Sequence, residues 1–350
     1  MRLLFITQAL DLDDPVLSAY HRLVNETAKN FDSVVAVCLK KGRCELPANV
    51  TIRSLGKERG GSRLAAKLRY VSRFYKYVFA ERYDAVFVHM NQEYILLGGP
   101  FWKMMGKRIY MWRNHHAGSL LTDIAAAFCA KVFCTSRFSY TAKYKKTVLM
   151  PVGIDTQTFK PVPDTRRIPG SILFLARMAP VKKPDLFIEI LLRLEKSNVP
   201  FTASLYGDPL PKDEIFYKLL QEKVAALGLG DKTVFYHGVP NGATPGIYSA
   251  HDVSVNLSSS GMYDKTIFEA MACETLVVAT NKNLDGLVPA EFVAKEGDAE
   301  EIAGKISHLL GLSALEKDSY RKKLRATAEA KHSLAMLGKR LAEEVVERII

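Results

Sequence analysis

The stretch from Asp252 to Thr280, DVSVNLSSSGMYDKTIFEAMACETLVVAT, constrains the fold more than any other part of the chain. A short apolar strand runs into a polar loop, Ser258 to Tyr263. A helix begins near Asp264, Lys265 and Thr266, and the apolar run Leu276 to Ala279 reads as the next buried strand. Strand, loop, helix and strand in this order make one unit of a parallel sheet. The loop then lies at the carboxyl end of its strand, and the helix start offers free backbone N–H groups, a pairing that suits an anion such as a pyrophosphate. Glu269, one turn further on, shares a helix face with Lys265 and Thr266. From there a carboxylate can accept two hydrogen bonds from a ribose diol while the helix start holds phosphates.

The rest of the chain supplies more units of this kind. Strands are expected at Leu3–Thr7, Val34–Leu39, Ala85–His89, Arg108–Trp112, Lys131–Ser136 and Thr147–Pro151, with helical stretches between most of them, which implies a parallel sheet covered on both faces. At 350 residues the chain is too long for one ordinary core and fits two domains. The proline- and charge-rich segment from Val162 to Gly170 reads as their linker. The expected division is 1–162, 163–335, and a terminal helix over 336–350. No apolar run reaches the roughly 18 residues of a membrane span, and MRLLFIT passes into acidic residues without a secretory cleavage site. The expected location is cytoplasmic. Five cysteines without a C-x-x-C pair indicate neither a disulfide framework nor a zinc site.

Charge is distributed unevenly. Residues 1–165 hold 25 Lys and Arg against 13 Asp and Glu, and the remainder holds 24 of each, so the whole net charge of +12 lies in the first half. Such a half suits an anionic partner. Residues 57–82, KERGGSRLAAKLRYVSRFYKYVFAER, focus this charge on an expected helix. There Leu64, Leu68, Val71, Tyr75 and Val78 form an apolar stripe that should pack on the sheet. Arg69, Arg73 and Lys76 lie opposite it, with Arg63, Lys67, Tyr70, Phe74 and Tyr77 on a flank. Two readings stand, an ordinary solvated helix and a peripheral contact with an anionic membrane. A nucleic-acid partner is not expected, because no reading motif accompanies the basic residues.

Several polar residues fall at strand ends. Arg113-Asn114-His115-His116 follows the strand Arg108–Trp112, and His89 ends the strand Ala85–His89. Imidazoles so placed can exchange hydrogen bonds with sugar hydroxyls. Asp11, Asp13 and Asp14 in the loop after the first strand read either as a D-x-D metal site or as an acidic helix start followed by Pro15. Asp13, His89 and His116 are carried as acceptor-side candidates, and no metal site is assigned. In the second half Arg177 and Lys182 follow the strand Ile172–Ala176, and Gly207 and Gly238 follow two later strands, where glycine lets backbone approach a ligand.

The run of loop, FEAMAC and LVVAT resembles the signature of family 4 nucleotide-sugar glycosyltransferases, strongly over Ile172 to Thr280 and loosely before Thr147. The resemblance implies the α/β GT-B fold, two facing Rossmann-like domains with parallel sheets and an interdomain cleft, and a last helix crossing back onto the first domain. It implies Arg177 and Lys182 as a clamp on the donor diphosphate and His115 as a contact to the donor sugar, the three residues taken as catalytic. Gly207, Gly238, Asp264, Lys265, Thr266 and Glu269 would bind the rest of a UDP- or GDP-type donor. The family carries two glutamates seven residues apart; the second matches Glu269, but the first position is Gly261, leaving Asp264 or backbone to meet the sugar. The expected function is a retaining, metal-independent transfer without a cofactor from a nucleotide-diphosphate sugar to a glycan or lipid-linked acceptor, in the cytoplasm or at the inner face of the membrane. A catalytically inactive nucleotide-sugar-binding protein and a GT-B-type nucleotide-sugar epimerase remain as alternatives.

Overall fold

The computed structural model describes residues 1–14 and 17–346 and divides into two compact units. Pro15, expected to open a helix, lies outside the described residues. The first unit contains β1 (Arg2–Leu10), α1 (Ser18–Ala28), β2 (Ser33–Lys41), β3 (Val50–Ser54), α2 (Arg63–Ala80), β4 (Ala85–His89), α3 (Glu93–Met104), β5 (Arg108–Trp112), α4 (Leu120–Phe128), β6 (Lys131–Cys134) and β7 (Thr147–Leu149). The second contains β8 (Ile168–Leu175), α5 (Pro184–Lys196), β9 (Thr202–Tyr206), α6 (Glu214–Ala226), β10 (Thr233–Tyr236), α7 (Thr244–Ala250), β11 (His251–Asn256), α8 (Lys265–Ala272), β12 (Leu276–Ala279), α9 (Ala299–Gly311) and α10 (Ala314–His332). The final helix α11 (Leu334–Val346) belongs to the first unit.

The first sheet runs β3-β2-β1-β4-β5-β6-β7 and the second β10-β9-β8-β11-β12, with parallel pairing throughout. Strand alternation sets the layers of the first unit. Leu3 and Phe5 face α1 and α11, while Leu4 and Ile6 face α2, α3 and α4. In the second unit every residue of β11 is buried, as is Ile267–Ala272 of α8. The division falls between Gly153 and Ile154, ahead of the expected break after residue 162. The intervening segment is tied to the second unit, since the Ile154 N–H donates to the His332 carbonyl at 2.8 Å and the Val162 N–H to Ser249 Oγ at 3.1 Å. On the other side of the join, α11 is held to the first unit by Lys131–Glu344 at 2.7 Å and by the Tyr110 hydroxyl donating to the Val345 carbonyl at 3.0 Å.

Helix α2 is turned differently from its expected orientation. Val78 is buried as expected and Tyr75 partly so, but Leu64, Leu68 and Val71 lie outside. Phe74, expected on a flank, is buried instead, its ring set edge-on to Trp102 and tilted on Tyr94. Arg69 and Arg73, expected outside, turn toward the chain before the helix and donate to the carbonyls of Gly60 (2.6 Å) and Ser54 (3.2 Å). Burying a large ring among other aromatic rings outweighs burying a leucine at the helix start.

At the amino-terminal edge of the second sheet Asp252 fixes α10. Its carboxylate meets Arg321 at 2.7 Å, Lys317 at 3.6 Å and the Gly170 N–H at 2.8 Å, with Asp252 and Arg321 both buried. Removing one partner of a buried pair costs about 3–5 kcal/mol, whereas an exposed pair is worth little. Asp252→Ala should therefore lower the stability of the second unit by about that amount in denaturant unfolding. Asp318→Ala, which takes the surface partner from Arg321, should change it little.

Candidate functional site

In an open parallel sheet, ligands meet the carboxyl ends of strands where the strand order reverses. In the second sheet that point lies between β8 and β11, and the loops after these two strands, with the helix α8 that follows the second, carry most of the expected donor-side residues. After β8, a short turn over Pro180–Lys182 ends at Lys183, whose backbone is left-handed at φ 58° and whose ammonium pairs with Glu296 at 2.6 Å. The turn puts Lys182 Nζ 2.5 Å from Asp264 Oδ2 and 3.2 Å from Ser258 Oγ, and Ser258 in turn donates to Asp264 Oδ2 at 2.8 Å. The β8 and β11 loops are thereby joined through a single ion pair.

Asp264 is the N-cap of α8. Its Oδ1 accepts from the Thr266 N–H at 3.2 Å and the Thr266 hydroxyl at 3.0 Å, while Asn256 Nδ2 donates to that hydroxyl oxygen at 2.9 Å. The helix start expected to offer bare N–H groups thus already holds a carboxylate of its own chain at Thr266. Burial opposes the charged form of Asp264, but the Lys182 charge and the hydrogen bonds from Lys182, Ser258 and Thr266 prevail and hold its pKa down at about 2. Thr266 is partly buried in this network and Lys265 is exposed. Arg177 is exposed at the end of β8 and makes no hydrogen bond or ion pair among the described residues.

Glu269 does not lie in the open beside Lys265. It is buried, with Asn241 Nδ2 donating to one carboxylate oxygen at 3.2 Å and the fully buried Tyr248 hydroxyl to the other at 3.4 Å. Burial, then the charge of Glu269, raises the Tyr248 phenol well above its ordinary range, so Tyr248 is the proton donor of this pair.

The two glycines have structural reasons of their own. Gly207 sits at φ 148°, and a Cβ there would lie 1.9 Å from the Ala176 carbonyl oxygen, so the close approach is between the ends of β8 and β9. A Cβ on Gly238 would lie 3.0 Å from Asp208 Oδ2, which accepts the Gly238 N–H at the same distance. The exposed His237 completes this cluster, with Nδ1 2.8 Å from Asp208 Oδ1. Sequence reading missed Asn256, Ser258, Asn241 and Asp208; the cue was a polar residue at or just after a strand end, the same signal that drew attention to Arg177. It also missed the brace under the Ser258–Tyr263 loop. There Asn281 Nδ2 donates to the Met262 carbonyl and Asn283 Nδ2 to the Ser260 carbonyl, both at 2.8 Å.

The first unit holds its candidates separately. His89 ends β4 beside β1, at the order reversal of the first sheet. It is buried, with Nδ1 3.3 Å from Thr7 Oγ1 and the Tyr20 ring edge-on at 4.5 Å. His115 and His116 are exposed and stack on each other at 4.5 Å, and His115 Nδ1 accepts the Ala117 N–H at 3.0 Å. Asp13 pairs with Arg43 at 2.9 Å, while Asp11 and Asp14 each lie 3.4 Å from Lys40 Nζ. The three acids are thus spent on cations of this chain, and among the described residues no cluster of three metal-ligating side chains occurs. A cavity of about 680 Å³ lies elsewhere, at the amino-terminal edge of the second sheet, with Pro169, Val199, Phe201, Leu310 and Lys317 among its lining residues and none of the candidates.

Residues 169–311 match the family model for glycosyl transferases group 1. The chain is 30% identical over 152 residues to a D-inositol 3-phosphate glycosyltransferase of Geodermatophilus obscurus, and 31% identical over 153 residues to a mannosylfructose-phosphate synthase of Agrobacterium fabrum. Each match covers 40% of this chain and 34% of the relative, so the chain spans about a third of the length of these relatives. Among solved structures, Anabaena HepE in complex with UDP and glucose superposes with a TM-score of 0.74 at 18% identity over 99% of this chain and 100% of its own. Sucrose-phosphate synthase from Thermosynechococcus elongatus superposes with a TM-score of 0.75 at 18% identity over 98% and 97%. Both likenesses are of fold, two Rossmann-like units with parallel sheets as in GT-B proteins.

The Lys182–Asp264 pair generates a pH prediction. The folded pKa of Asp264 lies below its ordinary value near 4, so the stabilisation is fully present above about pH 4 and is lost as pH falls toward 2. Wild type should be more stable than Asp264→Asn by on the order of 2 kcal/mol at pH 7, with the gap closing between about pH 4 and pH 2 in urea titrations.

Proposed function

From its glycosyl transferases group 1 segment and its GT-B fold, we propose that this chain is a retaining glycosyltransferase acting on a nucleotide-diphosphate sugar of the UDP or GDP type. The observation that carries the reading is the convergence of Arg177, Lys182 and the start of α8 at the carboxyl ends of β8 and β11, inside the matched segment. UDP and glucose accompany HepE, a protein of the same fold, which supports a nucleotide-sugar donor.

The geometry suggests how charge is managed. The Lys182 ammonium has three N–H donors, of which Asp264 and Ser258 engage two, leaving one for a phosphate oxygen. Arg177 has no competing partner among the described residues and can take two phosphate oxygens side by side. As the bond between anomeric carbon and phosphate oxygen breaks, negative charge grows on the departing diphosphate. Fixed cations and the helix start stabilise it in place, so the reaction is metal-independent and uses no cofactor. The departing phosphate oxygen then takes the proton of the acceptor hydroxyl as the new glycosidic bond forms on the same face of the sugar. The acceptor is a cell-envelope glycan or a lipid-linked acceptor, drawn to the basic first unit at the inner face of the membrane.

Gly261, standing where the family has a glutamate, favours one second reading, a nucleotide-sugar-binding protein without transfer activity. Incubating the protein with each donor in EDTA and a mixed acceptor pool separates the two, since only the first releases free nucleotide diphosphate.

Thermal-shift titration against UDP, GDP, ADP and their sugars tests the donor site. A donor present at 100 times its dissociation constant should stabilise the protein by about 2.7 kcal/mol. Arg177→Ala should remove the shift with the unliganded melting temperature unchanged. At Glu269 glutamine is the informative replacement, because alanine would orphan the buried Tyr248 hydroxyl at about 1–3 kcal/mol. Glu269→Gln should keep the fold and weaken the ligand shift, and an undiminished shift in both variants would refute the assignment.

A further inference from the structure

We propose that the outer face of the α2–α3 layer in the first unit docks on an anionic lipid bilayer, with Leu64, Leu68, Val71 and Phe79 entering the apolar boundary. The inference rests on the reading of a lipid-linked acceptor and deepens it by naming the membrane-facing surface.

Leu64, Leu68, Val71, Tyr75 and Phe79 fall at i, i+4, i+7, i+11 and i+15 and share one flank of α2. Leu64, Leu68 and Val71 were expected to be buried, yet Leu64 is 70% exposed and Leu68 64%, and Phe79 beside them is 57% exposed. Toward the end of the helix the stripe meets α3. The Tyr75 hydroxyl donates to the Leu97 carbonyl at 3.2 Å, and the Phe101 ring stands edge-on to Tyr75 at 5.4 Å and to Phe79 at 5.5 Å. Met104, one turn after Phe101, is 84% exposed. The stripe and these α3 residues form one apolar band on the outside of the layer, of a kind that a soluble surface rarely leaves uncovered.

Charge decides what covers it. Helix α2 contains Arg63, Lys67, Arg69, Arg73 and Lys76 and no acid. None of the five forms an ion pair among the described residues. Lys67 and Lys76 are exposed on either side of the stripe, and Arg69 and Arg73 bond only to carbonyls, which leaves their charge uncancelled. A second copy of the chain docking through the same face would set these lysines against their own equivalents across the two-fold axis. An anionic bilayer instead pairs headgroups with lysines and takes the apolar band below them. No helix of the described residues is long and apolar enough to cross a membrane, so the contact is one of lying on the surface.

Co-sedimentation of the full chain with phosphatidylcholine vesicles, with and without 30% phosphatidylglycerol, tests this. Wild type should bind the anionic vesicles with an affinity that falls as salt rises. Leu64→Glu/Leu68→Glu should weaken binding at least tenfold, and Lys67→Gln/Lys76→Gln several-fold. All four positions are exposed, so circular dichroism should be unchanged in both variants. Equal binding to neutral vesicles, wild-type binding by the double glutamate variant, or a dimer in gel filtration that this variant converts to monomer would overturn the proposal. The nucleotide thermal shift reports separately on the second unit. Wild type that fails to bind anionic vesicles while keeping the shift rejects this face alone, and wild type that binds vesicles without a shift rejects the donor site alone.

Discussion

A parallel strand buried on both faces cannot turn straight back into its neighbour. The chain must leave over one face as a helix, so each strand ends in a loop on the same edge of the sheet. The placement of most candidate residues in the second unit follows from that constraint. Arg177 and Lys182 lie in the loop after β8, Asp208 after β9, Gly238 after β10, and Ser258 and Asp264 after β11. The order β10-β9-β8-β11-β12 reverses between β8 and β11, the point at which open parallel sheets as a class take their ligands.

What lies there is a balance of charge. Lys182 and the first turn of α8 meet on the Asp264 carboxylate, an anion tethered to the same chain. Such an arrangement stabilises the fold without a ligand and keeps the lysine oriented. Arg177 differs from Lys182 in being exposed and, among the described residues, without a hydrogen bond or ion pair.

Much of this was legible in the sequence because it is written in periodicity. β4, β5 and β12 begin and end at the residues expected from apolar runs. β3 was missed, since Val50–Ser54 is an edge strand only partly buried and lacks the apolar run that marks an inner strand. The orientation of α2 was misread for a related reason. A helical wheel ranks stripes by hydrophobicity, but the sheet selected the stripe containing Phe74 and Val78, which fits beside Trp102 and Tyr94, over one containing two leucines. At the site, residue types and order were readable, while pairings were not. Nothing in the spacing of Lys182 and Asp264, far apart along the chain, says that they touch, or that Glu269 is covered by Asn241 and Tyr248.

Helix α11 gives the chain an unusual order of assembly. Leu337, Leu341 and Val345 complete the cluster that also contains Phe5, Val24 and Tyr110, so the first unit takes part of its interior from residues that leave the ribosome after the whole second unit. While translation continues, the apolar side of α1 and β1 has no permanent cover, and the later-made unit can finish folding before the earlier one. Chaperone dependence during synthesis should therefore fall on the amino-terminal half, even though that half is the first to emerge.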